Sequence, residues 1–141
     1  MVQFLLLLHV LGAIGMGIYL VLPFLFARSA GMEAQARQGL VEGVYAAHRI
    51  GQFLLIAQFL TGGYLISQAK YSVMWMALAI VLFLAVSAVT GIAGSRMKRF
   101  IQSMKAGKDG AAQFASAKTL SSIAAIILLV TIIVMVYPTY R

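Results

Sequence analysis

The sequence predicts an all-α protein: a four-helix transmembrane bundle with both termini outside and helices two and three extended into the cytoplasm. Three observations predict it. Of the 141 residues, 62 % are hydrophobic and 10 % are charged, whereas soluble domains are apolar over about half their residues; the mean hydropathy is +0.97. Four apolar stretches, near residues 3–27, 44–68, 72–95 and 119–137, each suit a bilayer core that takes about 20 helical residues to cross. The basic residues are unevenly placed: the connections after the first and third stretches carry most of them, and the second connection carries only Lys70. By the positive-inside rule this puts the two longer loops in the cytoplasm. Residues 1–141 then form one integral membrane domain, with helices at about 3–27, 32–68, 72–105 and 111–137.

The first helix lacks a basic N-terminal region and a small-residue cleavage site, and its apolar run exceeds the length of a signal-peptide core, so it is expected to remain as a mature span. Pro23 removes one backbone hydrogen bond near its inner end and permits a kink there. The second helix begins before the membrane. Glu33 and Arg37 stand four apart in the order that supports an exposed helix, so helix is expected from about Met32 to Gln68. Only a few residues around Ala69 to Ser72 join it to the third helix, which makes the two antiparallel neighbours, and Tyr64, Tyr71 and Trp75 gather at that end as an interfacial aromatic cluster.

The third helix continues past the membrane surface. Met97, Phe100, Ile101 and Met104 recur at helical spacing with Arg96, Lys98, Arg99 and Lys105 between them, an amphipathic pattern. Gly107-Lys108-Asp109-Gly110 then breaks the chain, and Ala111 onward starts the fourth helix. Within the third span Ser87, Gly91 and Ser95 form a small-residue ladder suited to helix packing.

Composition also excludes functions. With no cysteine there are no disulfides, thiolate metal sites, iron-sulfur clusters or covalently attached haem, whereas non-covalent haem held by histidine is allowed. The formal charge of +8 is mainly topological. It also suits anionic headgroups of the lipid bilayer, but the basic residues border membrane helices and no nucleic-acid-reading motif accompanies them. The eight methionines are not paired at ligand spacing, which argues against copper transport.

Two histidines, His9 and His48, are the best functional clue, because an imidazole inside apolar sequence needs a partner. His9 lies about seven residues from the outer end of its helix, roughly 10 Å deep, while His48 and Arg49 fall at the cytoplasmic boundary. The pair is thus separated by on the order of 20 Å, too far to clamp one iron. Gly12 and Gly17 leave the His9 face nearly bare, and Gly62 and Gly63 come to similar depth. Two readings stand: His9 hydrogen-bonds Gln58, Thr61 or Thr131 across a helix interface, or it is a single axial ligand of haem b with the glycines admitting the porphyrin. Near the other surface Glu42, Tyr45, Arg49 and Gln52 form a polar stripe beside His48. That stripe is either a solvated helix end with Arg49 reaching the headgroups, or an anion site where Arg49 binds a carboxylate or propionate; Tyr19 and Thr90 reach comparable depth.

The segment Leu8-His9-Val10-Leu11-Gly12, continuing to Tyr19-Leu20 and Pro23-Phe24-Leu25-Phe26, resembles the first helix of small bacterial four-helix membrane proteins with an early Leu-His. These comprise a predicted integral membrane family, the copper-resistance D type proteins and, more distantly, the haem-dependent membrane protoporphyrinogen oxidase. The resemblance covers about 20 residues. For the oxidase relatives it implies a haem ligand at the position matched by His9, and the bacterial groups named imply a place in the bacterial cytoplasmic membrane. Met16 stands near where the oxidases have a tryptophan, and no arginine directly follows Pro23.

The functional expectation is a small multi-pass protein of the bacterial cytoplasmic membrane binding haem b in a redox or porphyrin-related role, with cofactor-binding residues His9, Gly12, Gly17, His48 and Arg49 and His9 as the metal ligand. One alternative is a non-enzymatic accessory or assembly subunit of a larger membrane complex. Another is a minimal transporter working as a homo-oligomer, with the Glu42 to Gln52 stripe as its path.

Overall fold

The structure, a computed structural model, describes residues 1–140. Four helices are long and apolar enough to cross a membrane, and the first is divided in two. The elements are α1 (Val2–Met16), α2 (Ile18–Ser29), α3 (Ala34–Gln68), α4 (Val73–Lys105) and α5 (Ala111–Val136). Among the described residues there is no strand, only an isolated bridge between Tyr71 and Tyr140. The expected all-α four-helix bundle is therefore the architecture observed.

Helix length explains the shape. At 1.5 Å per residue, α3 and α4 are each about 50 Å long, roughly 20 Å more than a bilayer core. The excess lies at the end carrying Arg37, Arg96, Arg99 and Lys105, here called the basic end. Tyr71, Trp75 and Tyr140 mark the opposite, aromatic end. Towards the basic end α2, α3, α4 and α5 close into a ring, each packed on the next. Towards the aromatic end α1 packs chiefly on α3, and α4 pairs with α5.

The core follows this division. At the basic end Met97 and Phe100 are fully enclosed with Val41 and Ala117, and Phe114 stacks its edge against Phe26 (5.6 Å between centroids) and tilts against Phe100 (5.4 Å). The apolar repeat expected beyond the third span is thus the inner face of α4 in a small aromatic core outside the membrane-crossing part. Nearer the middle, Met16, Leu55, Val86 and Leu128 are buried. At most 22 % of any membrane-length window is enclosed within the bundle. The remaining apolar surface points out of the bundle, as contact with lipid would require.

The expected kink at Pro23 is located elsewhere. Pro23 lies inside α2, and the helix is interrupted at Gly17, where Gly17 N–H donates to Ile14 O and Leu20 N–H donates to Gly17 O, both at 3.0 Å. These are three-residue turns, tighter than α-helix. A Cβ at Gly17 would lie 2.9 Å from Ile14 O, so the tightening occurs where no side chain obstructs it.

Arg37 also departs from expectation. Its guanidinium does not extend outward beside Glu33; Nε donates to Ser29 O (3.0 Å) and Nη2 to Ala30 O (2.8 Å) and Met32 O (3.0 Å). The same group lies 5.3 Å over the Phe114 ring. The last carbonyls of a helix have no intrahelical donor, and here a cation from the next helix supplies one. The four-residue break holds as predicted: Gly107 and Gly110 take φ of 75° and 61°, and a Cβ at Gly110 would also stand 2.8 Å from Phe100 Cδ2.

At the aromatic end the C-terminal tail returns to the α3–α4 connection. Ser72 N–H donates to Thr139 O (2.8 Å), the Ser72 and Thr139 hydroxyls meet at 2.6 Å, and Tyr71 stacks between Trp75 (4.4 Å) and Tyr140 (5.2 Å). Trp75 Nε1 donates to Val134 O at 2.9 Å. Tyr64, expected in this cluster, stays outside the stack.

Candidate functional site

Both histidines find partners on another helix. His9 Nδ1 lies 2.9 Å from Thr61 Oγ1. Thr61 has one hydroxyl proton, and it is directed to Ala57 O at 2.7 Å, so the threonine oxygen accepts from His9. With the Thr61 hydroxyl turned to Ala57 O, the hydrogen placement that satisfies both contacts is a proton on Nδ1 and a lone pair on Nε2. Beside it Gln58 Nε2 donates to the backbone carbonyl of His9 at 2.6 Å. The Gln58 side-chain oxygen is buried with no partner among the described residues. Thr131, the third expected partner, turns back to Ile127 O at 2.7 Å.

The glycines have other duties than those expected. A Cβ at Gly12 would lie 2.9 Å from Gln58 Nε2, and one at Gly62 would lie 3.0 Å from His9 Cε1. The bare face is therefore filled by Gln58 and by the imidazole itself. Gly17 belongs to the helix break. His9 offers a half-buried imidazole, the donor type that serves as an axial haem ligand; as a porphyrin bed, Gly12 and Gly17 do not fit.

The second node lies between α2, α3 and α4. Tyr19 Oη and His48 Nδ1 share a hydrogen bond of 3.1 Å, with the rings edge to face at 5.9 Å, and Tyr45 stacks on the other side of His48 at 6.2 Å. Two glycines make this approach feasible. A Cβ at Gly51 would lie 2.7 Å from Tyr19 Oη, and one at Gly94 would overlap the His48 ring, 2.7 Å from Cδ2. Neither glycine stood out in the sequence. A tight α3–α4 contact thus lies at Gly94, one position from Ser95 of the expected ladder, where Ser95 itself is exposed and turned back to Gly91 O at 3.3 Å.

The polar stripe is only partly a unit. Glu42 accepts from Gln38 Nε2 (2.9 Å) and faces Lys105 Nζ (3.8 Å), Tyr45 covers His48, and Gln52 comes within 3.9 Å of where a Cβ on Gly91 would lie. Arg49 is exposed on the outer side of α3. Thirteen residues of one continuous helix separate Thr61 from His48, about 20 Å by helical rise. Hence His9 on one hand and His48 with Arg49 on the other form two places, in keeping with the separation read from the sequence. Among the described residues no three His, Asp or Glu side chains gather as a bare metal ion needs. Haem needs no such cluster, since the porphyrin already holds the iron.

Fold and nodes together define a multi-pass membrane protein whose span contacts include two interhelical histidine hydrogen bonds. Comparison with family models, curated proteins and solved structures finds no match.

Proposed function

We propose that this chain is a small protein of the bacterial cytoplasmic membrane that carries haem b on His9 in a redox or porphyrin-related role. The observation that supports it is the 2.9 Å contact of His9 Nδ1 with Thr61 Oγ1, which orients the ring and, with the proton on Nδ1, would leave Nε2 for an iron. The more distant resemblance of the first helix to the haem-dependent membrane oxidase points the same way. Bound haem would supply one-electron chemistry or the porphyrin itself as cargo. The residues of the chain have defined tasks around it: Thr61 holds the His9 proton on Nδ1, Gln58 anchors the His9 carbonyl, and Gly12 and Gly62 let α1 and α3 approach closely enough for both contacts.

An absorption spectrum of the detergent-purified protein, oxidised and dithionite-reduced, tests the reading. A Soret band lost or shifted in His9→Ala and retained in His48→Ala is the expected result. Absence of any band in protein produced with sufficient haem would refute it, and loss in His48→Ala alone would move the ligand to the other node. The accessory-subunit reading draws on one specific observation: α1 has α3 as its chief neighbour and presents Phe4, Leu7, Leu11 and Ile14 outward, a surface that lipid or a partner helix would cover. Co-purification of a larger complex, lost when small residues on α1 are enlarged, would favour it.

A further inference from the structure

Between α3 and α4 at the basic end, next to the His48 node with which it shares Tyr45, an open cleft of about 370 Å³ is lined by Glu42, Tyr45, Lys98, Ile101, Gln102 and Lys105. Its volume suits one small polar headgroup, near the lower limit of ligand sites. Its floor is apolar, the buried Ile101 side chain and the ring of Tyr45, while its rim is cationic. Lys98 and Lys105 stand seven residues apart on α4, two turns or about 10 Å along the axis. Glu42 pairs with Lys105 at 3.8 Å, the one ion pair found among the described residues. Lys98 has no such carboxylate. Two lysines against one glutamate leave the lining with a single positive excess, set at one end of the cleft.

Position narrows the ligand. The cleft opens one helical turn beyond Arg49, just where the apolar belt gives way: Ile50 and Phe53 on α3 and Ile92 on α4 are exposed, whereas the turns beyond Tyr45 and Lys98 are polar. A ligand resting here meets hydrocarbon on one side and water on the other. From the charge, the size and this boundary we infer that the cleft binds the phosphodiester headgroup of an anionic glycerophospholipid, with Lys98 and Gln102 on the phosphate oxygens and the acyl chains against the exposed apolar faces of α3 and α4. A monoanionic phosphate matches the single positive excess. A zwitterionic headgroup adds a cation that the Lys98 end repels.

The full-length protein, delipidated in a neutral detergent, provides the test. Binding is read by native mass spectrometry and by the thermal shift on adding phosphatidylglycerol, phosphatidylcholine of the same chains, or inorganic phosphate. Phosphatidylglycerol is expected to bind at least tenfold more tightly than phosphatidylcholine and less tightly as salt rises. Lys98→Gln combined with Gln102→Ala should weaken it about tenfold. Lys118→Gln, which removes an exposed lysine outside the cleft, should leave it unchanged. Equal weakening by the two lysine changes would show a general charge effect and overturn the site; so would equal binding of the two lipids. Competition by millimolar inorganic phosphate would overturn the lipid assignment and give the cleft to soluble phosphoesters. Lys98 and Gln102 are exposed, so the variants are expected to fold, which their unchanged helical circular dichroism would verify.

Discussion

At Gly94 the nearest side chain stands where a Cβ would have to go, and that side chain is the ring of His48. Gly63, on the same helix as His48, has nothing within 4 Å of the corresponding point. The two sites should respond oppositely to alanine. Gly94→Ala overpacks the α3–α4 contact and is expected to destabilise by about 1–3 kcal/mol, whereas Gly63→Ala should be neutral or stabilising by up to about 1 kcal/mol through helix propensity. Thermal unfolding of both variants in one detergent would check the contrast; equal effects would mean that His48 can swing aside freely. Tyr19→Phe should cost about 1–2 kcal/mol, because it strips His48 Nδ1 of its partner without opening a cavity. Both rings are buried, and an unpaired buried polar atom costs more than an exposed one, which is why a single oxygen matters.

Among the elements, the α2–α3 corner depends on one residue. Arg37 donates three hydrogen bonds to the last residue of α2 and the turn that follows it and covers the face of Phe114, so it joins the first, second and fourth spans at once. Arg37→Ala should lower stability by about 2 kcal/mol, and Arg37→Lys should recover little, since an ammonium lacks the planar fork that reaches separate carbonyls. Amide hydrogen exchange across residues 26–32 is the direct readout, with faster exchange expected in both variants. The α4–α5 turn is similarly specified: Gly110→Ala meets both the left-handed φ of 61° and the Phe100 ring. The spans themselves were largely legible from residue order, because length and hydropathy are local quantities. The corner was not. Glu33 and Arg37 have the spacing of an ion pair, but the orphan carbonyls of α2 compete for the same guanidinium, and only the folded chain brings them within reach.

For the whole molecule, the closed basic half and the open aromatic half set what each end can do. The tail over the α3–α4 connection ties the aromatic end, and Trp75, the single tryptophan, reports on it. Burial first, and Tyr140 second, push the Tyr71 phenol up from its ordinary value of 10.0. A raised value means that the contribution of the neutral phenol to docking is fully present below pH 10 and fades as pH rises through the higher folded-state value. Trp75 emission should therefore hold constant between about pH 7 and 9 and move to the red above about 10, and Tyr140→Ala should give the red-shifted emission at neutral pH. Orientation can be tested on the same cysteine-free chain. Lys70→Cys should react with an impermeant thiol reagent in intact cells, and Lys108→Cys only in inverted vesicles; the reverse pattern would turn the bundle over.

Read by itself, the sequence determined that four apolar helices cross a membrane, that the second and third outrun it, that one end is basic and the other aromatic, and that the chain turns between Gly107 and Gly110. All of these follow from length, hydropathy and charge, which act through the solvent and need no neighbour. It also placed the two histidines at different depths, since depth is counted along a helix. Only the tertiary structure decided the partners. Helices that are apolar on nearly every side carry little sign of which face turns inward, so the choice of Thr61 for His9, of Tyr19 for His48, and of Gly12, Gly51 and Gly94 as points of tight contact depended on how the helices rotate against one another. The break at Gly17 was decided the same way: Pro23 weakens the helix, but the chain tightens where a missing side chain lets it.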